Sequence, residues 1–395
     1  MAIKVAFLLS HPIQYFSPVF RELAKNAGID LMVLYCSRHG LESRVDEKFG
    51  VEFAWDIALL EGYKYKFLQS IPRDASPRGP LSLFNPGIVQ ELFREHYDAL
   101  IVHGYNYLTY WLAFLGAKAS TTKLFVRGES HLLDKRSLFR RIFKAGPLKI
   151  LFHSSDGYLA IGSRSARYAQ HCGVPATRIF IAPYCVDNDF FARRAEEGTG
   201  FREKMLRALY LPPEVVVFAF FGKLYPRKAP FDLLVAFEKL KPKKAALLFV
   251  GDGESRKSLE DYTARRDVSN VRFTGFVNQS MLPMYYGLAD VVVLPSRAEP
   301  WGLVVNEAMA CDCAVVVSDV CGCAPDLVHE GENGYIFPAG DVEALSEILR
   351  QLANDPERIQ AMKRASKEII TDWSPDICAA RIAEAVTNVV IREKA

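Results

Sequence analysis

Long apolar runs and an excess of either charge are missing from this sequence, and its opening stretch does not read as a secretory leader. None of its 395 residues falls in a run approaching the roughly 20 apolar residues that span a bilayer. The opening MAIKVAFLLSHPIQYF has one lysine and a short apolar stretch broken by Pro12 and Gln14, without the longer core and small-residue cleavage site of a secretory leader. These absences predict a cytoplasmic protein. The 49 Lys and Arg nearly balance the 46 Asp and Glu, and the formal net charge of +3 gives no argument for nucleic acid. The basic residues are not interleaved with a recognisable reading module either, so no nucleic-acid partner is expected. Also missing is a G-x-G-x-x-G turn after the first strand of either half. That lack counts against a nicotinamide or flavin dehydrogenase, and no prosthetic group is expected.

Cysteine is sparse, at eight residues, but four of them form a pattern: Cys311, Cys313, Cys321 and Cys323 make two C-x-C pairs seven residues apart. Structural zinc sites usually space each ligand pair by two to four residues. The AVVVSDV between the pairs is a good buried strand that would hold them well apart. Reduced structural thiols of a cytosolic protein are the expected reading, with a metal or redox role as the alternative.

What is present is ordinary for a soluble globular chain, with 50 % hydrophobic and 24 % charged residues. The length exceeds one ordinary core and predicts two domains. Strand and helix patterns alternate along the chain. A first series runs through IKVAFLL (3–9), IDLMVLY (29–35), DALIVHG (98–104), TKLFVRG (122–128), DGYLAIG (156–162) and RIFIAPY (178–184). A second runs through VVVFAFFG (215–222), AALLFVGDG (245–253), NVRFTGF (270–276), DVVVLPS (290–296) and AVVVSD (314–319). Near-continuous apolar strands alternating with amphipathic segments predict parallel sheets covered on both faces. The fold class is therefore α/β, with two doubly wound Rossmann-like domains. The expected division is 1–190, a polar linker at 191–213, a second domain at 214–375, and a final helix at 376–395 that packs back on the first domain.

Two stretches point to chemistry. The turn FFGKLYPRKAP places Gly222, Lys223, Arg227 and Lys228 at the carboxyl end of a strand and just before a helix, where open α/β sheets bind ligands. Such a turn is a diphosphate seat or a solvated basic loop. Further on, SRAEPWGLVVNEAMA carries Glu299 and Glu307. Glu299 falls on a loop after a strand, and a helix is predicted over 302–309 with Glu307 in its second turn. The two acids then grip different parts of one long ligand. Its phosphates would lie near the amides of Trp301, Gly302 and Leu303, where glycine permits close approach. Glu307 would accept from a pair of hydroxyls, as in a ribose diol. Its apolar neighbours bury it, and a buried carboxylate needs a partner.

With its context, this segment resembles the retaining family-4 glycosyltransferases of the GT-B fold. The resemblance is carried by the Glu299–Glu307 spacing followed by AMACDCAVVVSD, and by FGKLYPRKAP, VGDGE, FTGFV, LPMYYGLADVVVLPS and CGCAPDLVHEGENGYIF. It covers nearly all of 215–340. In the first half it is fainter, in RGESH, GVPATRIFIAPYCVDNDFF and HPIQYFSP. The resemblance implies two domains facing a central cleft. Their ligands would be a nucleoside-diphosphate sugar donor, with a UDP-sugar expected ahead of a GDP-sugar, and a hydroxyl acceptor that is a glycan or a lipid-linked intermediate of cell-surface polysaccharide. Glu307 would hold the ribose, Glu299 the transferred sugar, and Lys223 and Lys228 the diphosphate, although the family more often has arginine at the first of these. Phe276 and Val277 would meet the base. His131 would face the sugar, orienting it or accepting a proton, and the loop from His11 through Gln14 to Tyr15 replaces a more usual glycine-rich turn. The implied reaction retains configuration by front-face attack without a metal, so His131, Glu299, Lys223 and Lys228 are the catalytic candidates and no nucleophile is named.

Two further features stand apart. DND (187–189) spells a D-x-D metal motif but lies in the predicted linker. Residues 135–152, KRSLFRRIFKAGPLKILF, carry six positive charges and no acid, with apolar residues at helical spacing. Such a segment fits peripheral contact with the anionic inner face of a cytoplasmic membrane, or a core helix with a basic outer face. The competing functional classes are a non-hydrolysing sugar-nucleotide epimerase of the same architecture and a nucleotide-sugar-binding subunit without activity.

Overall fold

The computed structural model describes residues 2–392 except 42–43, 47–50, 54, 73–75, 78, 134–137, 198–199 and 241–243; at 44–46, 51–53, 138–145 and 392 it describes backbone only. The chain divides into two compact units. Unit 1 comprises Met1–Ser43, Ile57–Cys185 and Ser374–Ala395, and unit 2 comprises Arg44–Asp56 and Val186–Trp373.

In chain order the elements begin β1 (Ile3–Leu9), α1 (Phe16–Lys25), β2 (Ile29–Tyr35), β3 (Arg44–Asp46), β4 (Val51–Phe53), β5 (Tyr65–Phe67) and α2 (Gly87–Glu95). Next come β6 (Ala99–His103), α3 (Leu108–Ala119), β7 (Lys123–Gly128), α4 (Leu138–Ser154), β8 (Gly157–Ala160), α5 (Ser163–His171) and β9 (Ile179–Ile181). Two helices, α6 (Asn188–Glu197) and α7 (Phe201–Ala208), occupy the stretch read from sequence as a linker, and both belong to unit 2. Then follow β10 (Val216–Phe221), α8 (Pro230–Leu240), β11 (Ala245–Val250), α9 (Arg256–Arg265), β12 (Val271–Gly275), α10 (Leu282–Tyr286) and β13 (Val291–Leu294). The chain continues through α11 (Leu303–Ala310), β14 (Ala314–Ser318), α12 (Ala324–Leu327), β15 (Gly334–Phe337), α13 (Val342–Ala353), α14 (Pro356–Ile369) and α15 (Pro375–Arg392).

Unit 1 is built on a seven-stranded sheet of order β5-β2-β1-β6-β7-β8-β9, and every pairing in it is parallel. Unit 2 has six parallel strands in the order β12-β11-β10-β13-β14-β15. The apolar runs explain these sheets: every residue of β10, β11, β13 and β14 is buried, as strands covered on both faces require. The helices cover them with one apolar face each. In α13 that face is Leu345, Leu349 and Leu352, and the helix starts at Asp341, whose carboxylate accepts the Ala344 N–H. Within unit 1, α15 packs against α1. In each sheet the strand order reverses once, between β1 and β6 in unit 1 and between β10 and β13 in unit 2, and this reversal opens the crevice where doubly wound sheets bind ligands.

The sequence reading does not contain β5, β15 or the antiparallel β3–β4 pair. Each is three or four residues long, and that is too short for periodicity to declare.

Candidate functional site

In unit 2 the loops after β10 and β13 flank the reversal, and they hold the residues singled out from sequence. Two close backbone contacts shape the β10 loop. A Cβ on Gly251 would lie 1.9 Å from the Gly222 carbonyl oxygen, and one on Gly253 would lie 2.6 Å from that of Leu224. Only glycine allows such an approach. Buried Leu224 pins the loop, its N–H donating to Asp252 O at 2.9 Å. The VGDG turn thus clamps the segment that presents Lys228.

Lys228 makes an ion pair with Glu299, and both side chains are largely buried, at 14 % and 9 % exposure. Ser296 Oγ donates to the same carboxylate oxygen at 3.2 Å. The loop carrying Glu299 is pressed onto the segment 321–323: Gly322 N–H donates to Glu299 O at 3.1 Å and Cys323 N–H to Trp301 O at 3.0 Å. A Cβ on Gly322 would fall 1.8 Å from Pro300 O, so that contact also needs glycine. Gly302, at φ +104°, then turns the chain into α11. The helix begins at Leu303, with no acidic side chain in its first turn to occupy the positive end of its dipole. The indole of Trp301 is buried, donating to Asn306 Oδ1 at 2.8 Å and lying 5.2 Å from Trp373, so this side chain stiffens the loop.

Glu307 lies in α11, as the sequence predicts, and is only 2 % exposed. Its partner is Tyr286, whose hydroxyl donates to Oε2 at 2.6 Å while its ring stacks on Phe221 at 3.8 Å. Sequence reasoning missed Tyr286 and Ser296. Tyr286 lies 21 residues upstream in a short apolar helix and looks like core. Arg227 is exposed and rests over the Tyr225 ring, 5.9 Å from its centroid. Lys223 is half-buried on the same loop. Phe276 and Val277, also half-buried, follow β12, two strands from β10 on the side away from Glu299.

The DND stretch acts locally: Asp187 Oδ1 accepts the Phe190 N–H at 3.1 Å at the start of α6, and Asn188 Nδ2 donates to Ile370 O at 3.0 Å. The four patterned cysteines are buried, and burial pushes their thiols up, to about 12 for Cys313 and Cys321. They donate weakly to backbone carbonyls, Cys311 to Phe191 and Cys313 to Tyr286 among them.

Residues 201–369 match the family described as glycosyl transferases group 1. That stretch lies in unit 2 and is less than half of the chain. An uncharacterized glycosyltransferase of Methanocaldococcus jannaschii is 33 % identical over 196 residues, 49 % of this chain and 48 % of that protein. The GDP-mannose-dependent alpha-(1-6)-phosphatidylinositol monomannoside mannosyltransferase of Mycobacterium tuberculosis is 31 % identical over 272 residues, 65 % of this chain and 66 % of that protein. These alignments span about half to two thirds of the relatives' lengths. Among solved structures, Anabaena HepE in complex with UDP and glucose aligns with a TM-score of 0.74 at 18 % identity, covering 98 % of this chain and 100 % of that one. WaaG, a glycosyltransferase involved in lipopolysaccharide biosynthesis, aligns with a TM-score of 0.65 at 16 % identity, covering 97 % and 99 %. The fold is GT-B.

In unit 1, the reversal between β1 and β6 gathers imidazoles. His11 follows β1, with Nδ1 2.9 Å from Ser10 Oγ and its ring 5.2 Å from that of His39. Loss of hydration, then the neighbouring His39 and His103, push His11 down to about 3, so it stays neutral. His103 at the end of β6 lies 3.2 Å from Glu129, which also accepts from the Tyr184 hydroxyl at 2.6 Å. Burial alone would raise Glu129, but these hydrogen bonds outweigh it and hold the carboxyl below its usual range. Gln14 is buried beside Tyr15 at the start of α1. His131 is 6 % exposed, and the Leu133 N–H donates to its Nδ1 at 3.2 Å. A neutral ring in that bond carries its proton on Nε2. A ring so arranged accepts at Nδ1 and donates from Nε2. Sequence reasoning did not find His39, His103 or Glu129, although each sits just at or after a strand's carboxyl end.

Of the basic segment 135–152, residues 135–137 and the side chains of 138–145 lie outside the described residues, while the backbone from Leu138 onward forms α4. Among the described residues no helix is long and apolar enough to cross a membrane.

Proposed function

We propose that this protein is a retaining glycosyltransferase that moves a sugar from a nucleoside-diphosphate sugar, bound by unit 2, to a hydroxyl acceptor on a glycan or lipid-linked intermediate. One observation carries the reading. Lys228 and Glu299, 71 residues apart, meet at the strand-order reversal of unit 2, beside the uncapped start of α11 and the buried acid Glu307. In the unliganded site the lysine and the acid neutralise each other. A diphosphate competes for Lys228, and release of that cation leaves Glu299 to accept from sugar hydroxyls. Glu307, pre-aimed by Tyr286, takes the ribose diol.

Departure of the nucleoside diphosphate puts negative charge on its terminal phosphate and positive charge on the sugar ring. Lys228, Lys223 and the α11 amides are fixed dipoles and charges that stabilise the first. They supply what a divalent cation supplies elsewhere, so turnover is expected to persist in EDTA. The acceptor hydroxyl attacks from the face the phosphate leaves, and its proton passes to the departing phosphate oxygen, so no enzymic nucleophile is required. His131 contributes to the reaction as an Nε2–H donor.

A UDP-sugar is the favoured donor, and the complexes of HepE with UDP and UDP-glucose support it. The GDP-mannose-dependent relatives make guanosine the competing base. A thermal-shift and turnover screen over uridine, guanosine and adenosine diphosphate sugars decides. Stabilisation by one nucleoside diphosphate is expected, and stabilisation by none overturns the donor-site assignment. The basic stretch around α4 is assigned to contact with an anionic membrane; sedimentation with anionic vesicles that is indifferent to lipid charge and salt would remove that part.

A further inference from the structure

Ahead of Val186, one segment of the chain, Arg44–Asp56, belongs to unit 2. Its last residue meets the loop 276–281, which joins β12 to α10. The Asp56 carboxylate grips Ser280 with both oxygens: Oδ1 accepts the Ser280 N–H at 3.0 Å, and Oδ2 accepts from its hydroxyl. Arg194 of α6 donates through Nη2 to the Ser280 carbonyl at 3.2 Å, while its Nη1 donates to Glu197 at 2.9 Å. The N–H, hydroxyl and carbonyl of Ser280 are therefore all engaged.

Packing alone does not hold this loop. Of residues 276–281 only Gln279 is buried, so little apolar area leaves water there and polar contacts decide where the loop lies. Within it the Asn278 carbonyl accepts the N–H groups of Met281 and Leu282, each at 3.1 Å, and Asn278 Oδ1 accepts the Gln279 N–H at 2.8 Å. Those bonds shape a turn but are all local. Asp56, 224 residues from Ser280, and Arg194, 86 residues from it, tie the turn to distant parts of unit 2. The other end of the same stretch is fixed by packing: Tyr286, at the end of α10, is buried with its ring on Phe221 and its hydroxyl on Glu307.

On the donor reading of unit 2, Phe276 and Val277 at the start of this loop meet the base, and Glu307 takes the ribose. A loop without its brace would have to be ordered by the nucleotide, and that ordering weakens binding. We propose that Asp56 is a positioning residue for the nucleoside half of the donor: by holding Ser280 it pre-orders the loop that receives the base. It touches no reacting atom. The inference rests on the donor reading, and Asp56 lies outside the stretch 201–369 that matches the family.

The full chain is titrated calorimetrically, well below its Tm, with uridine diphosphate and with guanosine diphosphate. Absence of binding by the wild type removes the donor reading and this proposal with it. For whichever nucleotide binds, Asp56→Ala is expected to weaken affinity by about ten-fold, the loss of a charge-assisted hydrogen bond. Ser280→Ala keeps its N–H on the carboxylate and should lose about three-fold. The two residues form one contact, so the double variant should match Asp56→Ala rather than show the product of both losses, about thirty-fold. Asp56→Asn retains one acceptor and should recover most of the affinity. Asp56 is exposed and Ser280 half-buried, so these variants should fold, and Tm is recorded alongside. In the turnover assay the donor KM of Asp56→Ala rises while kcat stays within about two-fold, a split that general loosening of the fold would not produce. Unchanged affinity in Asp56→Ala overturns the proposal and leaves the donor reading standing. An additive loss in the double variant overturns it too.

Discussion

The two units share one topology and fill the same topological position with different chemistry. Where the strand order of unit 2 reverses, a lysine meets a glutamate, and a tyrosine holds a second acid. Where that of unit 1 reverses, His11, His39 and His103 gather, and His11 is kept neutral by its surroundings. On the proposed function, the paired cation and anion stay balanced until a diphosphate arrives, and then offer it a full charge. A neutral imidazole at His11 offers a donor and an acceptor without net charge, which suits hydroxyls. The sheet determines where a ligand is met, and the side chains at the strand ends determine which ligand.

The sharpest way to break this contrast is Lys228→Ala. With the cation gone, kcat is expected to fall by about 10²–10³-fold. Glu299 is left buried without its partner, so Tm falls as well. The double variant Lys228→Ala with Glu299→Gln should recover Tm and not turnover. If steady-state kinetics show full activity in the single variant, unit 2 is not the charged half of the reaction.

Next in size is Glu307→Ala. Loss of one or two charge-assisted hydrogen bonds predicts nucleotide binding weaker by about 30–100-fold. Tyr286→Phe keeps the ring stacked on Phe221 and removes only the bond that aims Glu307, so its calorimetric loss is expected near 10-fold.

On the unit 1 side, His131→Ala should lower kcat by about ten-fold with nucleotide affinity unchanged, because a neutral donor is removed. A general base would be worth about 10²-fold or more and would give an acid limb in the pH profile. Such a limb, abolished in the variant, would restore the base role.

The smallest effect concerns His11 and pH. Unfolded, its imidazole protonates below about 6.5, whereas folded it stays neutral until about 3. The unfolded state therefore binds more protons between these values, and stability falls as pH drops through that window and is flat above it. Between pH 6.5 and 5 the expected loss is on the order of 2 kcal/mol. His11→Gln should flatten the curve of Tm against pH there, and an unchanged curve would place the acid sensitivity elsewhere.

Much of this was legible before any coordinates. Glu299 after DVVVLPS and Glu307 in a helix opening at Gly302 are local statements, and local patterns declare them. The basic turn could be seen but not interpreted, because nothing nearby distinguishes a phosphate seat from a solvated loop. Glu299, far along the chain, is what makes Lys228 part of a site. His131 was legible as a residue but not as a group, since its tautomer depends on the Leu133 amide folding back onto Nδ1. Asn85 carried no signal at all: it is fully buried, and its side-chain amide lies within hydrogen-bond distance of carbonyls 16 to 49 residues away, those of Cys36, Leu68 and Gln69.

The alternation of apolar strands and amphipathic helices by itself determined two doubly wound sheets, because burial on both faces demands near-continuous apolar runs and helices demand one apolar face. Only the tertiary structure decided that β10 lies beside β13, that VGDG clamps the lysine loop, and that Tyr286 reaches Glu307. Periodicity reports how each segment is buried. Which segments become neighbours is a matter of strand order and close packing, and no single stretch of chain contains that information.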